Sequence, residues 1–170
     1  MLFRSIAVKA ALTGHLVLST LHTNDAPGAV ARMVDMGIEP FLISSSLLLV
    51  CAQRLVRKIC PHCKEEFVLP PESIRQAGLT EADLHGATFY RGRGCGRCKD
   101  TGFLGRTAIH EVMSITDTMR EQILHNASAK VIRELAVKEG MKNLRQCGVD
   151  KAKQGITSID EVLRVTGREA

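Results

Sequence analysis

The sequence predicts an α/β chain in which part of an incomplete sheet, over residues 6–59, is followed by a four-cysteine metal module over 60–99. A C-terminal strand and a small helical bundle then fill 100–170. Three observations lead there. Residues 15–21 (His-Leu-Val-Leu-Ser-Thr-Leu) are a nearly continuous apolar run of strand length, followed by a polar turn and an apolar-striped helix. Two Cys-x-x-Cys pairs, Cys60/Cys63 and Cys95/Cys98, stand 31 residues apart. From Thr116 onward the pattern is that of helices only.

Composition bounds the alternatives. A chain of 170 residues can bury one good core or two small ones, and 24% charged residues with 45% apolar ones exclude wholesale disorder. No signal peptide opens the chain, and its longest apolar stretch, residues 47–52, is far too short for a bilayer, so a soluble protein is expected. Six cysteines, four of them in metal spacing, fit a reducing cytosol better than a disulfide scaffold and leave Cys51 and Cys147 as free thiols. The net charge of +5 admits an anionic partner. The basic residues are scattered, however, and one Tyr, five Phe and no Trp give little surface for stacking bases. Nucleic acid is therefore not the expected partner, and nucleic-acid binding stays a runner-up.

Residues 1–5 look unlike the rest of the chain and read as an expression scar cut into a helix over 6–13. The apolar run 15–21 suits a strand buried on both faces of a parallel sheet. Asn24 or Asp25 then caps a helix with Pro27 in its first turn, Val30, Met33 and Val34 on one stripe, and Gly37 at its end. Residues 40–53 predict a second helix, apolar nearly all round and buried, with Ser44, Ser45 and Ser46 allowing close approach; residues 54–59 lead extended into the first cysteine pair. Between the pairs, Pro70 and Pro71 open a short helix to Ala77, Thr80 with Asp83 resembles a capping box, and residues 88–91 suit a strand. Residues 101–106 form a glycine-hinged turn into a strand over 108–113. Of the terminal helices, one carries Ile115, Met119 and Ile123. The next, capped by Ser128, carries Val131, Ile132, Leu135 and Ala136; a third spans 144–153. Ser158 with Glu161 forms a capping box for the last, over 159–165, closed by Gly167.

The matched cysteine pairs read as a structural zinc site. Each tight turn presents two sulfurs to one ion, and two turns complete the tetrahedron that Zn²⁺ accepts. Gly94 and Gly96 would relieve the backbone where N–H groups turn toward thiolates. Four thiolates around Zn²⁺ leave two negative charges, for which Arg93, Arg97, Lys64 and Lys99 are the expected compensation. His62 lies inside the first knuckle and is not needed as a ligand.

Three stretches, residues 14–24 (Gly-His-Leu-Val-Leu-Ser-Thr-Leu-His-Thr-Asn), 52–55 (Ala-Gln-Arg-Leu) and the knuckles with 101–106 (Thr-Gly-Phe-Leu-Gly-Arg), together resemble the secretion ATPases of bacterial type II secretion and type IV pilus assembly. Residues 155–163 agree, and the resemblance runs from about residue 6 to 170. It implies a RecA-like ATPase domain for the sheet portion, with ATP and Mg²⁺ bound in the full-length enzyme. It also implies a homo-hexamer at the cytoplasmic face of the inner membrane, working with its own N-terminal ATPase region and an inner-membrane platform protein. The zinc knuckles point to the secretion and pilus-extension members, since retraction motors generally lack them. No Gly-x-x-x-x-Gly-Lys-[Ser/Thr] loop occurs here, so the chain is expected to be the C-terminal part of such an enzyme and inactive alone.

His22 is the candidate catalytic residue. It follows the carboxyl end of the predicted strand, where open α/β sheets place ligands, and the resemblance puts it in a histidine box near the terminal phosphate of the nucleotide. His15, a strand length away, is secondary, with a structural or interface role first. Gln53 and Arg54 match a family motif without an assignable role. The contrasting hypothesis is a free-standing zinc-ribbon protein that binds nucleic acid or a protein partner; a simple ribbon has no use for half a nucleotide-binding sheet.

Overall fold

A computed structural model of the chain describes residues 2–167. Met1, residues 168–170 and the side chains of residues 2–5 lie outside the description, and the expression scar expected over residues 1–5 falls there. In chain order the elements are α1 (Leu2–Leu12), α2 (Ala26–Asp35), α3 (Pro40–Ser46), β1 (Leu49–Ile59), β2 (Lys64–Glu66), α4 (Pro71–Ala77), α5 (Glu81–Leu84), β3 (Tyr90–Gly92), a 3-10 turn (Gly96–Cys98), β4 (Phe103–Ser114), α6 (Asp117–Leu124), α7 (Ala129–Lys138), α8 (Leu144–Lys153) and α9 (Ile159–Thr166). They form two compact units, Met1–Ala52 with Glu111–Lys142 and Gln53–His110 with Asn143–Ala170, so that the division falls inside β1 and β4. These strands form a two-stranded sheet. Ile115 N donates to Leu48 O at one end and Cys60 N to Gly102 O at the other, which makes the pair antiparallel.

In the first unit, α2 starts where Asp25 accepts the Gly28 N–H at 2.6 Å, and Gly37, at φ 81°, follows its end. Its buried face, Ala26 and Val30, joins Ile43, Ala52, Met113, Met119, Ile123, Ile132 and Ala136 in one apolar core, with Met33 and Val34 at the margin. Thr116 caps α6 and Ser128 caps α7. Val131, expected on the inner stripe of α7, is instead 42% exposed.

Two further sequence expectations fail in this unit. Residues 15–21 belong to no strand or helix, with Leu16 80% and Leu18 89% exposed. A strand exists only through its neighbours, and no strand of the described residues lies beside this one. The helix expected over 40–53 stops at Ser46, and residues 49–53 are the start of β1. Ser44, Ser45 and Ser46 all donate their hydroxyls to carbonyls of residues 41 or 42. Hydroxyls bonded back in this way slightly weaken a helix, and the apolar residues just beyond it pair with β4.

In the second unit β2 and β3 pair antiparallel, Lys64 opposite Gly92 and Glu66 opposite Tyr90. Thr80 and Asp83 form the expected capping box on α5. A second such box, Asn143 with Gln146, opens α8. Leu69, Ala77 and Phe89 from between the cysteine pairs share a core with Val149, Ala152 and Ile159 of α8 and α9. The four terminal helices thus do not form one bundle within a unit: α6 and α7 belong to the first, α8 and α9 to the second. At α9 Ser158 caps as expected, accepting the Glu161 N–H at 3.3 Å, but the Glu161 carboxylate does not return the bond. It is committed to Arg57 and Arg164.

Candidate metal centre and histidine segment

Two tight turns bring the cysteine sulfurs together. Cys63 N donates to Cys60 O across the first knuckle, and Cys98 N to Cys95 O across the second, which is a 3-10 turn followed by Lys99 and Asp100 at φ 53° and 58°. The four sulfurs lie within 4.8 Å of one another. Cys60 to Cys95 and Cys63 to Cys98 are 3.9 Å, and Cys95 to Cys98 is 3.7 Å, far beyond a disulfide bond. Cys60, Cys63 and Cys98 are buried and Cys95 half-buried. Four thiols so arranged can hold one metal ion.

Backbone N–H groups surround the sulfurs. Gly94 N donates to Cys63 Sγ at 3.3 Å, Cys95 N to Cys98 Sγ at 3.2 Å, and Gly102 N to Cys98 Sγ at 3.3 Å. Burial pushes the Cys63 thiol up to about 12, the Gly94 N–H offsetting only part of it. At Cys98 burial acts in the same sense, yet the N–H groups of Cys95 and Gly102, with the thiols of Cys95 and Cys63, together outweigh it and hold the thiol down at about 7. Dipoles aimed at sulfur favour thiolate, the form a metal binds. Arg97 and Lys64, expected as charge compensation, have other contacts: Arg97 Nη1 is 3.0 Å from His62 Nε2, and Lys64 lies over the Tyr90 ring at 4.0 Å. His62 is exposed and outside the ligand cluster.

His22 lies exposed in the irregular segment that leads into α2, three residues before the cap Asp25. His15 is also exposed, its Nδ1 at 3.1 Å from the Thr13 hydroxyl. At the start of α2, Glu111 Oε1 accepts the Ala26 N–H at 2.8 Å, and Arg133 Nη2 donates to Asp25 Oδ2 at 3.0 Å. Gln53 is exposed and Arg54 half-buried on β1. No helix among the described residues is long and apolar enough to cross a membrane.

A family model described as Type II/IV secretion system protein matches residues 4–164. The chain belongs to the Type II/IV secretion system protein family. It is 53% identical over 161 residues to the type IV pilus assembly ATPase PilB of Thermus thermophilus, covering 95% of this chain and 18% of that protein. To the type II secretion system protein E of Dickeya dadantii it is 50% identical over 164 residues, 96% of this chain and 32% of that one. The type II secretion system ATPase E of Vibrio cholerae is 48% identical over 161 residues, 95% and 31% respectively. The chain thus spans from about a fifth to a third of these relatives.

Three features of this secretion-family chain escape a reading of sequence. Gly102 was legible only as a hinge, yet it donates to Cys98, accepts from Cys60 and lies so close to Gly92 that a Cβ on either would strike the other's backbone. Gly96, by contrast, has open space where a Cβ would go. Glu111 reads as an ordinary strand residue and is 1% exposed. Arg57 meets Glu161 across 104 residues while lying over the Phe103 ring at 4.2 Å. The sequence signal for Glu111 is a charged residue at a strand position whose alternation faces inward, in phase with Ile109 and Met113; Arg57 is out of phase with Ala52 and Val56 and carries no such signal.

Proposed function

We propose that this chain is the C-terminal portion of a motor ATPase that powers assembly of pilin or pseudopilin subunits in type IV pilus biogenesis or type II secretion. The observation that carries it is identity of 53% and 48%, each over 95% of the chain, to proteins named as a type IV pilus assembly ATPase and a type II secretion system ATPase. On this reading the sheet portion completes a RecA-like domain, and the enzyme is a homo-hexamer at the inner membrane's cytoplasmic face, acting on a platform protein. ATP and Mg²⁺ are held mainly by residues absent from this sequence, which has no phosphate-binding loop. His22 is the catalytic contact to the transferring phosphoryl group, and His15 is secondary.

The resident metal is zinc, held by Cys60, Cys63, Cys95 and Cys98 and structural in role. Sulfurs about 2.3 Å from a tetrahedral ion stand roughly 3.8 Å apart, and the spacings of 3.7 and 3.9 Å support that fit. Bound zinc would supply closure of the two knuckles and no reaction.

Turnover of the full-length protein tests the reading. His22→Ala should lower kcat about a hundredfold while sparing ATP binding, the loss expected when one preorganised transition-state contact is removed. This chain alone should neither hydrolyse ATP nor bind it tightly. A full-length His22→Ala enzyme at the parent rate would show the assigned role to be wrong.

A further inference from the structure

The start of α2 is held from two sides. Glu111, on β4, accepts the N–H of Ala26, the first residue of the helix; Pro27 has no N–H; and Asp25 accepts that of Gly28. The second oxygen of Asp25 receives Arg133 of α7. Ala26 is fully buried and Glu111 nearly so, whereas Leu21, His22 and Asn24 just ahead are exposed and belong to no regular element. Such a segment takes its position from its anchor. Only Thr23 and Asn24 separate His22 from Asp25, a reach of about 10 Å. Both carboxylates also close this helix end to anions, so a phosphate brought here meets the side chains ahead of the helix and not its dipole.

A carboxylate is an expensive group to bury, and Glu111 sits where it fixes the joint between the exposed segment and α2. We propose that Glu111 is a positioning residue for His22, setting the place of the 22–25 segment through the Ala26 N–H. The proposal rests on the catalytic reading of His22.

The test is a double-mutant cycle in the full-length protein. Glu111→Met keeps length and apolar bulk but removes the acceptor. It should lower kcat roughly ten- to hundredfold, as expected for a misplaced catalytic group, with KM for ATP changed less than about twofold. Glu111→Gln, whose amide oxygen can still accept from Ala26, should stay within about threefold of the parent. In the His22→Ala background Glu111→Met should have no further effect on kcat. Parent-rate turnover by Glu111→Met, or a loss that multiplies onto that of His22→Ala, overturns the positioning role. Parent-rate turnover by His22→Ala instead removes the reading beneath it. Should Glu111→Met fail to fold, Glu111→Asp, which withdraws the acceptor by one methylene, is judged by the same criteria. Amide exchange in the unmutated protein is a separate check: exchange at Ala26 as fast as at Thr23 also overturns the proposal.

Discussion

Glu161 is 1% exposed, and its carboxylate accepts from Nε and Nη2 of Arg164 and from N, Nε and Nη2 of Arg57. Burial alone would raise its carboxyl. The bonds from Arg164 and then Arg57 outweigh burial and bring it from 4.5 down to about 2. A carboxyl depressed on folding stabilises the protein fully above its unfolded value and loses that contribution as pH falls through the folded one. Unfolding temperature should therefore drop as pH goes from about 5 toward 2, with on the order of 3 kcal/mol at stake from this group. Glu161→Gln should be less stable at pH 7 and show a shallower acid slope in thermal melts; an unchanged slope counts against the assignment. Asp83, held low by Lys153, acts in the same sense. Gly102 carries a different constraint, with φ at 74° and Gly92 facing it. Gly102→Ala should cost about 1–3 kcal/mol and lower bound metal well below one equivalent per chain, as read by elemental analysis.

At the level of elements, helix starts were legible because capping is local: Asp25, Thr80, Ser128 and Ser158 each accept an N–H three residues ahead. The cysteine cluster was legible because spacing alone constrains two turns. The boundary between α3 and β1 was not, since an apolar run of this length fits either state and pairing with β4 decides it. The run at 15–21 misled for the converse reason: its pattern is that of a strand, but a strand needs a neighbour. For the same reason nothing local names the partners of Glu111 or Arg57, which lie 85 and 104 residues away. The β2–β3 pair, only three residues per strand, leads into the knuckles at Cys63 and Cys95, so metal should hold it closed. Chelation, or Cys60→Ser, should speed amide exchange first in Lys64–Glu66 and Tyr90–Gly92. Exchange in α6 and α7, whose core is separate, should stay slow. Uniform acceleration across both sets would contradict a local role for the metal.

For the molecule as a whole, exposed apolar residues are spread along the chain, and Leu16 and Leu18, close together ahead of α2, are almost fully exposed. Residues of this kind, close together on a segment that belongs to no strand or helix, favour association between copies. The chain should show a mass that rises with concentration in light scattering, and Leu16→Ser with Leu18→Ser should reduce it; a strictly monomeric parent at high concentration would rule this out. The residues between Cys63 and Cys95 have a consequence of another kind. With both knuckles fixed on one ion, they are a closed loop in the polymer sense, tied at its base and bearing an exposed turn at the tip His85–Gly86. The entropy of closing such a loop grows only with the logarithm of its length, about 0.6 kcal/mol for each doubling. Insertions or deletions at that tip therefore change the ring's size at little thermodynamic cost, while the four sulfurs keep their places.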